Sequence, residues 1–494
     1  MTVLESCQRQ YTLVQNAPRA QRHPKSRMPQ KMWVRLILMA AMGVALEGNE
    51  NPGVVIRLTQ KGLNHVSKEG AVLLQKELMK INLPIQLGIG KHELIRMAFT
   101  KFLLPRSRVL MMPEGPKLSL TNVLIHITGK WSNDKYNKEH IPFDLRLDGV
   151  SISVTFYLGK NDKGHITISV SSCNIHINYV NIFSSTDQSL LRDLYKQNFQ
   201  AVLQNDINEK ICRVICNATT SYMEPYLQTM PVIVQVDEIA GIDYSPMKPP
   251  QISNHNLEIP LKGNFFSLIH QESHPYQPQI MNFHGSQIQM IFFAVSHTVF
   301  DSAKHVYQDA GIKSLHVTNS KLSKDSKFPL TTNYYGTLIP KLSQKFLNME
   351  MKIEVGLPPL PTVVYNSRQK MSLTSVLSAH VYAISSNSSH NLLFTLSLDT
   401  SVTLHIYVKN GTILGRLSLE SIEIKLKHSN VGYFQESVLK DAFIHYMNEV
   451  WIPRVNWRLE KGYPLPIPVD LHFFNYIVYP HKNFLVFGSD FNHF

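Results

Sequence analysis

Four cysteines are the residues of this chain best suited to covalent chemistry: Cys7, Cys173, Cys212 and Cys216. Cys7 precedes an apparent export signal and would be lost with it, so three remain, which suits one disulfide and one odd thiol. Cys173 lies in a stretch with the periodicity of a strand. Cys212 and Cys216 lie one turn apart in a stretch with the periodicity of a helix. Either helical cysteine could bond to Cys173, and we expect such a bridge to staple a helix to a strand.

Catalytic motifs are missing from the sequence. We find no Gly-x-Ser-x-Gly elbow, no phosphate loop, no dinucleotide fingerprint and no His-Glu-x-x-His metal helix. The 22 histidines are scattered. His297, Asp301 and His305 would share one helical face, but no cysteine or further ligand is near in sequence, so we interpret that face as solvated. We therefore expect that the protein is not an enzyme and that it carries no metal or cofactor.

The charge favours anionic partners. The formal net charge is +13, while only 17% of residues are charged and 44% are hydrophobic. A basic excess attracts phospholipid headgroups or lipid A, although it also serves plain solubility. No dense run of Lys and Arg is interleaved with aromatic residues, which argues against nucleic acid as a partner.

The first residues predict export. Residues 1–31 form a basic extension, and residues 32–48 have the basic front and short apolar run of a signal peptide. Because a signal should begin the chain, we expect translation to start at Met28 or Met32. The sequons at Asn217, Asn387 and Asn410 are candidate glycosylation sites of a secreted, extracellular protein.

Hydrophobic periodicity predicts a mixture of helices and strands. A helix is expected over residues 60–81, stopped by Pro84. Residues 151–158 and 166–170 alternate in polarity around an Asn161–Gly164 turn, which indicates a hairpin. The apolar parity then flips, so we expect a β-bulge at Ser171–Ser172.

The same order of elements then recurs. A long helix is predicted from Asp187 to Tyr226, and a proline-rich linker over residues 241–262. A helix over residues 296–310, ending at Gly311, is followed by strands joined by an Asn410–Gly411 turn. A final helix from Gln435 to Leu459 is expected to kink at Pro453. Helix, strands and long helix thus occur twice, which indicates a duplicated unit.

Several stretches resemble one family, and they occur in the family's order from residue 51 to the end. They include Asn51-Pro-Gly-Val-Val-Ile-Arg-Leu-Thr-Gln-Lys-Gly-Leu63, Pro225-Tyr-Leu-Gln-Thr-Met-Pro231, Ile239-Ala-Gly-Ile-Asp-Tyr244, Ser326-Lys-Phe-Pro-Leu-Thr-Thr332, Gly336-Thr-Leu-Ile-Pro340, Lys427-His-Ser-Asn-Val-Gly432, Pro453-Arg-Val-Asn456 and Lys461-Gly-Tyr-Pro-Leu-Pro466. The chain resembles the family of bactericidal permeability-increasing protein, lipopolysaccharide-binding protein and phospholipid transfer protein.

The resemblance implies an α+β fold. Two elongated antiparallel β-barrels, each wrapped around a long helix, would form a boomerang with a central sheet. Residues 49–240 and 263–494 would form the barrels, and residues 241–262 the linker and central sheet. Each barrel would hold phospholipid acyl chains in an apolar tube. The family's disulfide falls on Cys173 and Cys212, and a role in innate immunity is implied.

The resemblance also locates a basic tip on the first barrel, where related proteins meet lipopolysaccharide. Acidic residues, Glu93 and Asp134 among them, interrupt the corresponding regions here. Strong endotoxin binding is therefore the alternative function, and phospholipid carriage the main one. The candidate contacts for an anionic headgroup or membrane surface are Lys91, Arg96, Lys101, Lys130, Lys135 and Lys138.

Overall fold

The computed structural model describes thirteen stretches of the chain, which begin at residue 51. These are residues 51–81, 86–89, 92–132, 141–184, 199–253, 256–270, 277–283, 288–312, 314–356, 362–367, 370–385, 389–409 and 411–493. The predicted export signal, the basic extension and the predicted stop at Pro84 lie outside them.

The N-terminal half consists of helices packed on a seven-stranded sheet. Its elements are β1 (Val54–Leu58), α1 (Gln60–Leu78), β2 (Gln86–Ile89), β3 (His92–Leu103), β4 (Arg106–Met112), β5 (Gly115–Ser132), β6 (Ile141–Lys160), β7 (Ile166–His176), β8 (Tyr179–Ser184), α2 (Phe199–Ala218), a π turn (Thr219–Met223) and α3 (Glu224–Gln228). The sheet has the order β2-β3-β5-β6-β7, while β4 pairs with β5 and β8 with β6.

The middle of the chain contributes short strands. They are β9 (Ile233–Gln235), β10 (Ala240–Asp243), β11 (Gln251–Ser253), β12 (Asn256–Leu261), β13 (Asn264–Ser267) and β14 (Ile291–Ser296). The segment predicted as a linker thus contains β11 and β12. Strands β13, β10 and β9 form a separate three-stranded sheet.

The C-terminal half repeats the pattern of helix, sheet and helix. Its elements are α4 (His297–Asp309), β15 (Ser314–Val317), a 3₁₀ turn (Asn319–Lys321), α5 (Thr332–Gly336), α6 (Pro340–Lys345), β16 (Glu350–Gly356), β17 (Thr362–Ser367), β18 (Lys370–Ile384), β19 (His390–Lys409), β20 (Thr412–Ser429), a 3₁₀ turn (Glu436–Leu439), α7 (Lys440–Tyr446), a π turn (Met447–Trp451), α8 (Ile452–Lys461), β21 (Tyr463–Pro464), β22 (Leu471–Pro480) and β23 (Phe484–His493). Its sheet has the order β15-β16-β18-β19-β20-β21, with β17 beside β18.

A six-stranded sheet joins the two halves. Its order is β11-β12-β1-β14-β23-β22, so the first strand of the chain lies beside strands from the middle, and the last two strands complete the sheet. Val55 of β1 pairs with Pro260 on one side and with Ala294 on the other. Because its strands come from distant parts of the sequence, this sheet buries apolar residues that periodicity alone could not group.

The predicted closure into barrels is wrong for the described residues, where each sheet is open along its hydrogen-bonded order. The end strands β2 and β7 of the first sheet do not pair with each other. Helix α2 instead contributes Leu203, Ile207, Ile211 and Ile215 to the core formed by the inner face of that sheet. A helix can bury an apolar sheet face without strand closure, so the open sheet still has a dry interior.

Several local predictions are confirmed. The hairpin turn at Asn161–Gly164 is closed by a hydrogen bond from the Gly164 amide to the Asn161 carbonyl. Thr155 pairs with Ser172 and Phe156 with Val170, which leaves Ser171 as the extra residue of the predicted bulge. Helix α4 ends before Gly311, whose φ of 87° suits a residue without a side chain.

The long helices of the two halves share one irregularity. In each, a π turn directly precedes a proline, Pro225 at the start of α3 and Pro453 at the start of α8. Proline has no amide hydrogen to donate, and the wider turn accommodates that loss. At Pro453, where a kink is predicted, the helix contains this π turn and continues past the proline. Its recurrence at Pro225 supports the duplicated unit that the order of elements indicates.

Two glycines of α1 offer a matched test of its packing. A Cβ on Gly62 would lie 2.4 Å from the Met290 carbonyl oxygen, whereas a Cβ on Gly70 would meet nothing within 4 Å. We expect Gly62→Ala to lower the free energy of unfolding by about 1–3 kcal/mol through overpacking. Gly70→Ala should raise it by about 0.5–1 kcal/mol, since alanine favours helix. Urea unfolding of both variants checks this, and equal effects would contradict the close approach at Gly62.

Candidate functional site

Helix α1 is fixed at its start to the central sheet. Thr59 is its N-cap, and the threonine hydroxyl accepts a hydrogen bond from the Gly62 amide. The same hydroxyl donates to the Gln289 carbonyl at 2.8 Å, and Thr59 is buried. A capped and anchored first turn sets the direction of α1, so its far end lies beside α2.

A cleft of about 240 Å³ lies between the end of α1 and the C-terminal end of α2 with the π turn that follows it. The lining residues are Glu77, Lys80, Ile81, Val214, Asn217, Ala218, Ser221 and Tyr222. The buried side chains of Leu78 and Ile81 belong to the core of the N-terminal half, next to this cleft. The cleft therefore connects apolar packing with solvent.

The lining of the cleft combines charge, hydroxyl groups and hydrocarbon. The Lys80 ammonium lies 2.7 Å from the Glu77 carboxylate, and this hydrogen bond raises the pKa of Lys80. The Tyr222 ring is 61% exposed. Ile81 and Val214 supply apolar surface. Polar groups at an opening above apolar walls suit an amphipathic ligand, because its headgroup stays solvated while its chain is buried.

Apolar side chains on α1 face solvent along the approach to the cleft. Leu73 is 64% exposed, and Val66 lies seven residues earlier on the same helical face and is also exposed. Glu77, four residues after Leu73, continues that face to the cleft. An exposed apolar stripe on one helix is more typical of a surface that meets lipid or protein than of plain solvent contact.

The size of the cleft limits what it can enclose. Sites for drug-sized ligands measure roughly 300–1,000 Å³, whereas this cleft has about 240 Å³. It has room for part of a lipid in its present state. The acyl-chain tube expected in each half stays a prediction.

The disulfide between Cys173 and Cys212 ties α2 to the sheet. The Cα atoms are 5.8 Å apart, and the side-chain oxygen of Asn208 accepts a hydrogen bond from the Ile175 amide close by. Of the two pairings left open by spacing, the structure has the one implied by the family resemblance. In the full chain Cys216 is also disulfide-bonded and no described cysteine is free. The odd thiol expected after the loss of Cys7 stays a prediction.

The helices of the C-terminal half are joined in a different way. The Arg458 guanidinium of α8 contacts the Asp237 carboxylate and the Tyr307 hydroxyl of α4. The Tyr307 hydroxyl also donates to Asp237 at 2.8 Å, and burial raises the pKa of Tyr307. This charged contact bridges α4 and α8, whereas a cleft separates α1 and α2.

Three of the predicted headgroup contacts lie in the described residues. Arg96, Lys101 and Lys130 are all exposed. Ile95 pairs with Lys130, so Arg96 lies next to Lys130 across β3 and β5. Thr128 pairs with Asp144, which places that exposed carboxylate diagonal to Lys130. The structure thus brings together Arg96 and Lys130 but sets an acidic residue beside them. Lys91, Lys135 and Lys138 lie outside the described residues.

Only one of the predicted glycosylation sites is described. Asn217 is exposed on α2 and lines the cleft. Its sequon partner Thr219 is buried and donates its hydroxyl hydrogen to the Ile215 carbonyl at 2.9 Å. A glycan on Asn217 would stand at the opening. Asn387 and Asn410 lie outside the described residues, and glycosylation stays a prediction at all three.

Sequence reasoning nominated no individual lipid contact, and it missed the cleft residues. Lys80 and Tyr222 stand far apart in sequence, so no motif connects them. Val66 falls at the apolar spacing of the predicted helix over residues 60–81, yet it is 44% exposed. The strand residues Val154 and Phe156, in contrast, are buried as predicted.

Two features are absent from the described residues. In these, no group of three or more His, Cys, Asp and Glu side chains is arranged to hold a metal ion. No described helix combines the length and the apolarity needed to cross a bilayer. At the predicted His297–Asp301 face, burial lowers the pKa of His297, which favours its neutral form.

Two units of helix and sheet joined through a shared sheet, with a cleft of mixed polarity in the first, define a two-unit α+β protein with an amphipathic cleft. Known proteins agree with this. The model of the LBP / BPI / CETP family N-terminal domain matches residues 62–230, and that of the C-terminal domain matches residues 234–493. The chain therefore belongs to the LBP / BPI / CETP family.

Relatives match along nearly the whole chain. Bactericidal permeability-increasing protein of Rattus norvegicus is 32% identical, over 93% of this chain and 98% of its own length. Phospholipid transfer protein of Homo sapiens is 26% identical, over 89% and 90%. A crystal structure of lipopolysaccharide-binding protein superposes with a TM-score of 0.75 at 28% identity, covering 90% of this chain and 99% of that one. The family comprises proteins that bind lipid and lipopolysaccharide, and the fold belongs with them.

Proposed function

We propose that this protein is a secreted phospholipid carrier that holds acyl chains between its helices and sheets, with one site in each half. The observation that carries this proposal is the cleft between α1 and α2, where apolar walls open beside the Lys80 ammonium and the Tyr222 ring. A phospholipid combines the same two properties, since its phosphate is anionic and would lie near the ammonium, while its chains are apolar and would lie against the walls. No reaction is required of the site.

Burial of the chains supplies the driving force. A phospholipid with about thirty CH₂ groups gains a gross ~24 kcal/mol at ~0.8 kcal/mol for each buried group. The net affinity is far smaller after ordering costs. Since the cleft has about 240 Å³, we expect α1 to move away from α2 as chains enter. Val66 and Leu73 would then cover the chains instead of facing water.

Other features support export and the two-unit organisation. The signal-like residues 32–48, the sequons and the disulfide between Cys173 and Cys212 suit an extracellular protein. The family models divide the chain between residues 230 and 234, near the proposed end of the first unit at residue 240. We propose residues 49–240 and 263–494 as the two lipid-binding units.

Native mass spectrometry of protein secreted from mammalian cells tests the carrier function. We expect about two co-purifying lipids on each chain, released on denaturation and identified as phospholipids. Delipidated and refolded protein serves as the control for adventitious contacts. Protein that emerges free of lipid, with its secondary structure intact, would refute the carrier function.

Endotoxin binding is the second candidate, and a specific observation favours it. Arg96 and Lys130 are exposed neighbours, and relatives include proteins named for lipopolysaccharide binding. Binding to lipid A vesicles should collapse between about 10 mM and 1 M salt, as the Debye length falls from ~30 Å to ~3 Å. Arg96→Gln with Lys130→Gln should weaken it, while Lys163→Gln, an exposed change in the hairpin turn, should not. Equal binding by all three proteins would exclude this surface.

A further inference from the structure

A group of basic side chains lies in the C-terminal half, apart from the cleft between α1 and α2. We define the basic cluster as His316 of β15, Lys321 of the following 3₁₀ turn, Lys352 of β16 and Arg454 of α8. Strand β15 is the edge strand of its sheet, so the cluster borders solvent on one side. Lys321 and Arg454 are exposed, and Lys352 is half-buried.

Backbone pairing and hydrogen bonds fix the positions of His316, Lys321 and Lys352. His316 pairs directly with Glu354 across β15 and β16. The Lys321 ammonium donates to the His316 carbonyl at 2.9 Å, which holds the lysine against the edge strand. The nearest oxygen of Glu354 is 3.7 Å from the Lys352 ammonium, and Glu354 also accepts a hydrogen bond from Ser314 at 2.6 Å.

The cluster carries more positive charge than its neighbours neutralise. Burial, followed by the charges of Arg454 and Lys352, lowers the pKa of Lys321. Burial also lowers the pKa of His316, with Lys352, Lys321 and Arg454 adding to the effect and Glu354 opposing it. Three cations thus act on one another beside a single carboxylate, Glu354. An anion placed among them would relieve their repulsion.

We propose that the basic cluster binds a phosphate group, carried either by free phosphate or by a phosphomonoester headgroup. The Arg454 guanidinium can donate two parallel hydrogen bonds to phosphate oxygens, while Lys321 and Lys352 act as point charges. Glu354 lies 3.7 Å from the Lys352 ammonium, so a bound anion must compete with this carboxylate for the lysine. This site does not depend on the cleft between α1 and α2, so lipid counts there do not test it.

The test compares two charge-matched double variants of the full-length protein. Lys321→Gln with Arg454→Gln removes two cations of the cluster, and Lys324→Gln with Lys327→Gln removes two exposed cations from the nearby loop. Titration calorimetry with inorganic phosphate at constant ionic strength should give at least tenfold weaker binding for the first variant only. Equal affinities in the wild type and both variants would overturn the proposal.

Thermal unfolding distinguishes a loss of phosphate binding from a folding defect of the variant. Without phosphate, the cluster variant should be at least as stable as wild type, because repulsion between its cations is reduced. Phosphate should raise the Tm of the wild type and the loop variant, and leave the cluster variant unchanged. A rise matched by chloride at the same ionic strength would show screening alone and would overturn the site.

Vesicles distinguish the two sources of phosphate. Vesicles of phosphatidylcholine with and without phosphatidic acid present the phosphomonoester on a lipid surface. Cluster-dependent binding to phosphatidic acid, competed by inorganic phosphate, would assign the site to headgroups. Cluster-dependent phosphate binding without any vesicle difference would assign it to the free anion. Both outcomes support the proposed site.

Discussion

Replacing Cys173 and Cys212 together by alanine should lower the free energy of unfolding of the N-terminal half by about 4 kcal/mol. The bridge spans a sequence separation of 39 residues. In the chain-entropy model, a loop of that length costs the unfolded state about 4 kcal/mol at 25 °C. Alanine avoids burying a hydroxyl at Cys212, which lies in the core. The loss therefore measures the bridge itself.

Hydrogen exchange offers the most specific measurement of this change. Amides of α2 should exchange faster in the alanine variant, by up to a thousandfold where they open by unfolding of this half, while amides of α8 should change little. Asn174→Ala, an exposed change next to Cys173, is the matched control and should stay within about 0.5 kcal/mol of wild type. Unchanged protection of α2 would mean that packing alone holds the helix.

Filling the cleft should have the largest effect on binding. Ala218→Trp places an indole between α1 and α2, in the space that has about 240 Å³. If lipid enters there, the variant should carry one lipid fewer than wild type in native mass spectrometry. Its affinity for a fluorescent phospholipid at the N-terminal site should fall at least tenfold. The reason is steric, since the indole occupies the path of the acyl chain.

Arg213→Trp is the control for this experiment. Arg213 is exposed on the same helix, and its ion pair with Glu209 is a surface contact worth little stability. This variant adds the same side chain outside the cleft and should keep the wild-type lipid count. Circular dichroism should show that both variants fold. Identical lipid counts in Ala218→Trp and wild type would place the binding path elsewhere.

The amino-acid sequence by itself determined the local structure. The polarity alternation before and after Ser171 fixed a hairpin with a bulge, because adjacent strand residues point to opposite faces. Gly311 ended a helix because it tolerates a positive φ, and Pro453 interrupted one because it lacks an amide hydrogen. Each of these depends on a few consecutive residues. The family likewise follows from short motifs in order.

Tertiary structure decided whatever depends on residues far apart in the chain. Spacing left both Cys212 and Cys216 open as partners for Cys173; the family resemblance implied Cys212, and the docking of α2 on β7 brings that cysteine to Cys173. Whether a sheet closes depends on its first and last strands, so periodicity could not show that the sheets stay open. The cleft and the basic cluster also depend on residues that are far apart in the sequence and meet only in the folded chain. Strand patterns act over neighbouring residues, whereas helix docking and edge pairing depend on the packing of the whole chain.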